Sequence, residues 1–109
     1  MLKTLLQSAA IPARSARYPD PPAETYAVYF DEETVDGPDI PDAESPLVIW
    51  HDCMVELYEP IQDDAKETAF EAALRAHGLL WTKRERHWLK DVQRYQTIYE
   101  FTYYEKRRA

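Results

Sequence analysis

His51, Asp52 and Cys53 form the one cluster in the sequence whose residue types could support covalent catalysis. A cysteine nucleophile needs a base within hydrogen-bond reach, and side chains two positions apart on a strand point to the same face. His51 and Cys53 could therefore act together if residues 47–58 form a strand. That face is the apolar one, however, and a buried thiol usually behaves as a small hydrophobic group. We therefore expect Cys53 to be structural and the chain to have no catalytic residues.

The sequence offers little support for a metal or cofactor site. His51, His77, His87 and Cys53 have the right types for zinc ligands, but they lack the paired spacing of known zinc motifs. The chain has two glycines and neither a dinucleotide-binding nor a phosphate-binding glycine motif. We predict no metal and no cofactor. His77 is expected instead to complement the dipole at the end of a helix.

Composition indicates one α+β domain spanning residues 1–109, with a hydrophobic fraction of 45% and eight Tyr, three Trp and three Phe. The single Cys excludes an intramolecular disulfide and is compatible with a reducing compartment. A net charge of −7 disfavours nonspecific binding to nucleic acid. No apolar run reaches the roughly 20 residues of a membrane helix, and no signal peptide is recognisable. We expect neither nucleic acid nor membrane as a partner.

The negative charge is concentrated in residues 31–46, which contain no Lys or Arg. Three prolines and a glycine interrupt the same segment, so we expect a long exposed loop rather than a packed element. Its seven carboxylates account for the whole net charge: Asp31, Glu32, Glu33, Asp36, Asp39, Asp42 and Glu44.

The central stretch, residues 47–79, predicts a long strand, a turn and a helix. The odd positions of residues 49–57 are mostly apolar and the even positions are mixed, which is typical of a strand with one buried face. Pro60 ends the strand, and Asp64 with Glu67 predicts a capping box at the start of a helix over 64–77. Gly78 then predicts a left-handed cap at the end of that helix.

The remaining segments complete the predicted fold, a four-stranded, mostly antiparallel sheet with the 64–77 helix on one face and a short N-terminal helix. Residues 31–46 would be its loop and 105–108 a frayed tail. The other predicted segments are a helix over 2–9, irregular chain over 12–24, and strands over 26–30, 80–88 and 94–104.

Aromatic residues exceed what a core of this size needs, so we expect a subunit or partner interface that includes some of them. The basic residues Lys83, Arg84 and Arg86 are expected on a solvated strand face, or paired with the acidic loop of a neighbouring subunit. The candidate interface residues are Tyr95, Tyr99, Tyr103 and Trp88, with Trp81 and Phe101 beside them, and Asp36, Asp39 and Asp42 in the acidic segment.

The order of these blocks resembles small tail proteins of long-tailed bacteriophages and prophages, the tail terminator and tail-completion proteins. The resemblance begins with the Leu-rich helix that leads to Ile11-Pro12 and covers nearly the whole chain, although the acidic segment is more charged and proline-rich than expected. Its later blocks are Tyr26-Ala27-Val28-Tyr29, Val55-Glu56-Leu57-Tyr58, Lys83-Arg84-Glu85 and Tyr95-Gln96-Thr97-Ile98-Tyr99-Glu100-Phe101.

This resemblance implies a non-enzymatic α+β structural protein that forms a homo-oligomeric ring, with a hexamer as one expectation, at the head-proximal end of the tail tube. Its partners would be other tail or head–tail connector proteins, and its location the virion tail and, during assembly, the host cytoplasm. Two other readings remain open. One is a small ligand-binding or regulatory α+β domain. The other is a cysteine-dependent enzyme that uses His51 and Cys53.

Overall fold

The computed structural model describes residues 1–36, 46–62 and 64–108, and within them two helices and six strands form an α+β fold. The predicted fold class is confirmed, but the sheet has six strands rather than four. The elements are α1 (Leu2–Ser8), β1 (Ala13–Ser15), β2 (Tyr26–Asp36), β3 (Pro46–Glu59), α2 (Asp64–Ala76), β4 (Trp81–Lys83), β5 (His87–Leu89) and β6 (Arg94–Arg108). The strand order in the sheet is β1-β2-β3-β6-β4, with β5 also pairing with β6.

Strand β3 lies at the centre of the sheet, antiparallel to both β2 and β6. Its predicted alternation is confirmed, since every odd-numbered side chain from Ile49 to Leu57 is buried, whereas the even-numbered side chains are half-buried or exposed. Both helices contribute to the core on the odd-numbered face. The core residues include Leu5 and Leu6 of α1, Phe70 and Leu74 of α2, and Val55, Leu57, Tyr99 and Phe101 of the sheet.

Several predicted boundaries are wrong because tertiary pairing overrides local composition. Residues 31–36 are the second half of β2 rather than loop, and each of them pairs with a β3 residue between Val48 and Cys53. The expected tail over 105–108 is also strand and pairs with β3. Pro46, the last residue of the predicted loop, begins β3, and residues 37–45 lie outside the described residues.

Two further corrections concern short strands. The predicted irregular segment 12–24 contains β1, which pairs in parallel with β2. The predicted strand over 80–88 is divided into β4 and β5, which pair with different parts of β6. Between them the backbone N–H of Arg84 still donates to the Ile98 carbonyl at 2.8 Å, so the interruption is brief.

Helix α2 begins at Asp64, as predicted. The predicted capping box stays a prediction, because the side chains of residues 63 and 64 lie outside the described part of the chain. Glu67, the other residue of that pattern, is buried and pairs with Arg86 and Lys83. At the other end of α2, Nδ1 of His77 lies 3.0 Å from the Ala73 carbonyl oxygen in the last turn. This contact is compatible with the predicted role of His77 at the negative end of the helix dipole.

Gly78 closes α2 in the predicted left-handed conformation, with φ of 68°. The backbone N–H groups of Gly78 and Leu79 donate to the carbonyls of Arg75 and Leu74, each at 3.0 Å, which is the Schellman arrangement. A Cβ at Gly78 would meet no atom within 4 Å, so a substitution here is opposed by local backbone strain and not by neighbouring side chains.

We therefore expect Gly78→Val to lower the free energy of unfolding by roughly 1–2 kcal/mol, because a β-branched residue disfavours positive φ. Urea denaturation followed by circular dichroism measures this change. Gly78→Asn is the matched control, since asparagine tolerates the left-handed region and should cost less. Equal stability of the valine variant and the unsubstituted chain would contradict this account.

Candidate functional site

His51 lies in the middle of β3 on the helix-facing side of the sheet, and its side chain is 3% exposed. Strand register sets its surroundings, since Glu33 on β2 and Tyr103 on β6 are its direct cross-strand partners. The Tyr103 ring stacks on the imidazole at a centroid distance of 4.3 Å and an angle of 3°. A buried imidazole of this kind requires polar partners at both ring nitrogens.

Carboxylates from the two neighbouring strands supply those partners. Nδ1 of His51 lies 2.8 and 3.0 Å from the two carboxylate oxygens of Asp31, and Nε2 lies 2.8 Å from Oε1 of Glu105. Only the doubly protonated imidazolium can donate to acceptors on both sides. Glu33 adds a third carboxylate, whose Oε1 is 3.8 Å from Nδ1. We call Asp31, Glu33, His51 and Glu105 the His51 cluster.

The electrostatics of the His51 cluster follow from this geometry. Burial lowers the pKa of His51, but the hydrogen bonds to Glu105 and Asp31 outweigh it, so the pKa is raised overall. Hydrogen bonding to His51 lowers the pKa of Glu105. Burial, together with the Asp31 charge, raises the pKa of Tyr103 to about 12. The cluster therefore favours a cationic centre surrounded by anions.

The thiol of Cys53 shares this face but has a different environment. Cys53 is 4% exposed and belongs to the core cluster. Burial and the nearby Asp31 and Asp52 charges raise its pKa to about 12, which keeps the thiol protonated at neutral pH. His51 already has a carboxylate partner at each nitrogen, so a dyad with Cys53 would have to break one of these hydrogen bonds.

We expect the Cys53 thiol of the folded protein to react negligibly with a disulfide reagent such as DTNB near pH 8, because it is both buried and protonated. Full reaction should appear only in guanidinium chloride. Cys53→Ala should cost about 1 kcal/mol of stability without preventing assembly. Rapid thiol labelling of the native chain, or an enzymatic activity that is lost in this variant, would instead favour the cysteine-dependent enzyme.

The opposite, even-numbered face of the sheet carries a second candidate site. Both described helices contribute to the core on the other face, and three large side chains remain exposed here: Phe30 at 37%, Trp50 at 40% and Tyr104 at 56%. Trp50 and Tyr104 are direct cross-strand partners, and their ring centroids are 5.2 Å apart. We call this surface the open sheet face.

A wide depression of about 1100 Å³ borders the open sheet face. Phe30 and Met54 contribute apolar wall, whereas Glu32, Glu56 and Glu100 contribute carboxylates. This lining would suit a cationic or amphipathic partner better than a neutral small molecule.

The predicted interface residues do not form one surface. Tyr99 is fully buried against Phe70, so its prediction as an exposed contact residue is wrong. Tyr95 is half-buried and touches Trp88, which is 46% exposed, whereas Tyr103 stacks on His51. Tyr95 and Tyr103 lie eight residues apart on β6, which corresponds to roughly 26 Å along a strand.

The structure gives different positions for the other residues of the predicted interface. Trp81 is half-buried and packs against the core, and Phe101 belongs to the core. The predicted contacts of Asp36, Asp39 and Asp42 lie outside the described side chains.

The three basic residues pair within the chain rather than remaining free on a solvated strand. Lys83 contacts Glu67 and Glu71, Arg84 contacts Glu100, and Arg86 contacts Glu67.

The His51 cluster was not predicted from the sequence, because the local composition places Asp31 and Glu33 in a loop and Glu105 in a frayed tail. The i, i+2 spacing of Asp31 and Glu33 is the one signal that could have indicated a shared strand face. It becomes informative only when the strand is known to continue beyond Phe30.

Comparison with known proteins adds no assignment, since no family model and no curated protein matches the chain. Among the described residues, no helix combines the length and apolar character needed to cross a membrane.

Proposed function

We propose that this chain is a structural tail protein of a long-tailed phage or prophage, a tail terminator or tail-completion component that works by assembling into a ring at the head-proximal end of the tail. The sequence blocks that resemble this family correspond to α1 with the residues after it, β2, β3, β4 with the residues after it, and β6. The proposal requires a surface through which copies associate.

The observation that carries the proposal is a three-stranded extension of the sheet. It consists of residues 30–36 of β2, 46–52 of β3 and 102–108 of β6. Within the described parts of the chain, β1 pairs only with residues 27–29 of β2, and β4 and β5 pair only with residues 94–101 of β6. Both outer edges of the extension therefore present backbone groups that another strand could pair with.

The open sheet face gives the extension an apolar contact area as well. Trp50 and Tyr104 both lie on the extension, directly opposite one another on β3 and β6. Aromatic residues are enriched in protein interfaces and an unpaired strand edge favours pairing with another chain, so an exposed aromatic pair beside such an edge favours an interface here. A head-to-tail contact through such a surface closes into a ring when the rotation between copies permits it.

The mass of the assembly tests this proposal. We expect the chain to form a closed oligomer at high concentration or when mixed with a tail-tube protein, as measured by native mass spectrometry and light scattering. Trp50→Glu with Tyr104→Glu should abolish that oligomer, because each head-to-tail contact would then have to bury two added carboxylates in place of two aromatic rings. Circular dichroism and thermal melting confirm that the substituted monomer remains folded.

Trp88→Glu is the matched control, since Trp88 is exposed to a similar degree but lies at the other end of β6, on the short strand β5. Loss of the oligomer with Trp88→Glu, and not with the Trp50 and Tyr104 substitutions, would place the interface at the Trp88 and Tyr95 surface instead. A chain that stays monomeric alone and with the tail-tube protein would contradict the proposed function.

The acidic segment offers a second test of assembly. A deletion must be confined to residues 38–44, because residues 33–36 belong to β2 and pair with β3. We expect the shortened chain to fold and to assemble with altered affinity if the segment contacts a partner. If the deletion leaves particle assembly unchanged, residues 38–44 are not part of the proposed interface.

A further inference from the structure

We infer that the His51 cluster is a binding site for a divalent transition-metal ion, with Nδ1 of His51 and the carboxylates of Asp31 and Glu33 as its ligands. The inference is independent of the proposed function. It depends on the convergence of three ligand atoms, on a local excess of negative charge, and on the position of Glu105 behind the imidazole.

The three ligand groups converge in space from two strands. One ligand atom from each of Asp31, Glu33 and His51 lies within 4.8 Å of the other two. Strand geometry produces this convergence, since Asp31 and Glu33 are two positions apart on one face and His51 is the register partner of Glu33. Ligands held on paired strands need little reorganisation, and small side-chain rotations would bring each atom to a metal–ligand distance of about 2.0–2.2 Å.

The charge around the imidazole exceeds what one proton can neutralise. Three carboxylates, from Asp31, Glu33 and Glu105, surround a group that carries a single positive charge even when doubly protonated. Arg107 contacts Glu105, but no Lys or Arg in the described part of the chain forms a salt bridge with Asp31 or Glu33. A divalent ion in place of the Nδ1 proton would reduce this excess.

Glu105 occupies the place that a supporting carboxylate takes in known metal sites. A ligating imidazole usually donates its other N–H to a carboxylate, which fixes the ring orientation and the tautomer. Here Nε2 faces Oε1 of Glu105 at 2.8 Å, while Tyr103 stacks on the ring. These two contacts, both from residues of β6, hold the ring so that Nδ1 points toward the two carboxylates of β2.

Access and ligand type indicate which ions would bind. The side chains of Asp31 and Glu33 are 31% and 48% exposed, so an ion can enter from solvent although His51 is buried. One imidazole nitrogen with two carboxylates suits Zn²⁺, Co²⁺ or Mn²⁺ better than Ca²⁺, which takes oxygen ligands only. Three ligands leave at least one coordination position for water or for a group from another molecule.

The test titrates the full chain with ZnCl₂ and CoCl₂, by calorimetry for Zn²⁺ and by visible absorption for Co²⁺. We expect one tight ion per chain, and a loss of affinity of at least about tenfold in Glu33→Gln and in Asp31→Asn. Glu32→Gln is the matched control, because it removes the same charge from the same strand but on the open sheet face. That variant should bind as the unsubstituted chain does.

A spectroscopic measurement identifies the imidazole without destabilising the core. Zn²⁺ should shift the Nδ1 resonance of His51 in ¹⁵N-detected spectra and leave those of His77 and His87 unchanged, with His77→Gln and His87→Gln variants giving the assignment. The inference would be overturned if millimolar Zn²⁺ left the His51 resonances in place. It would also be overturned if Glu32→Gln weakened binding as much as Glu33→Gln, which would indicate diffuse attraction to an acidic surface.

Discussion

Replacing Arg86 by alanine should lower the free energy of unfolding by about 3 kcal/mol, one of the largest single losses we expect in this protein. The reason is the position of Glu67, which is 1% exposed on the buried side of α2. Its carboxylate contacts the Arg86 guanidinium through Oε2, and Lys83 lies 3.2 Å from Oε1. Without Arg86, Lys83 would be the one remaining cation in contact with this buried carboxylate among the described side chains, so much of the negative charge would be uncompensated.

Arg84→Ala is the matched control for this prediction. Arg84 pairs with Glu100 at 2.6 Å, but its side chain is 59% exposed, so the loss should stay below about 1 kcal/mol. Chemical denaturation of both variants measures the difference. Adding Glu67→Gln to Arg86→Ala should recover part of the stability, because the buried group is then neutral. Equal losses for Arg84→Ala and Arg86→Ala would show that the burial of Glu67 does not govern the effect.

The Glu67 pair also shows what sequence patterns can predict here. The period of β3, the position of α2 and the left-handed Gly78 are local features, and the structure confirms each of them, with α2 ending at Ala76 rather than at residue 77. Glu67 fits a local capping pattern, but that pattern does not indicate its two cationic partners, which lie 16 and 19 positions later in the chain. Spacing alone cannot identify partners that only the packing of α2 on the sheet brings together.

The predicted loop over residues 31–46 was wrong at residues 31–36 for a related reason. Asp and Glu have low strand propensity, so composition favoured a loop from residue 31 onward. In the structure, pairing with β3 extends the strand through Asp36, and the side chains of Asp31 and Glu33 face the buried His51. Both the candidate metal site and the sheet extension therefore depend on the second half of β2, whose acidic sequence is not typical of a strand.

Two phenylalanines on opposite faces of the sheet provide the last prediction. Phe70 on α2 is fully buried and contacts the Tyr99 ring edge-on at a centroid distance of 5.0 Å. Phe70→Ala should cost about 3–5 kcal/mol, because it removes a large side chain from a closed core and leaves a cavity. Denaturant titration of the variant measures the loss, and a melting temperature near that of the unsubstituted chain would contradict the described core.

Phe30→Ala makes the same chemical change on the open sheet face, where the side chain is 37% exposed and pairs in register with Met54. The monomer should lose about 1–2 kcal/mol, less than with Phe70→Ala, since part of the Phe30 side chain is already in solvent. If the open sheet face is the surface through which copies associate, this variant should nevertheless weaken the oligomer, as light scattering over a range of concentrations would show. A variant that leaves both the monomer and the oligomer unchanged would exclude Phe30 from the contact and confine the interface to the extension around Trp50 and Tyr104.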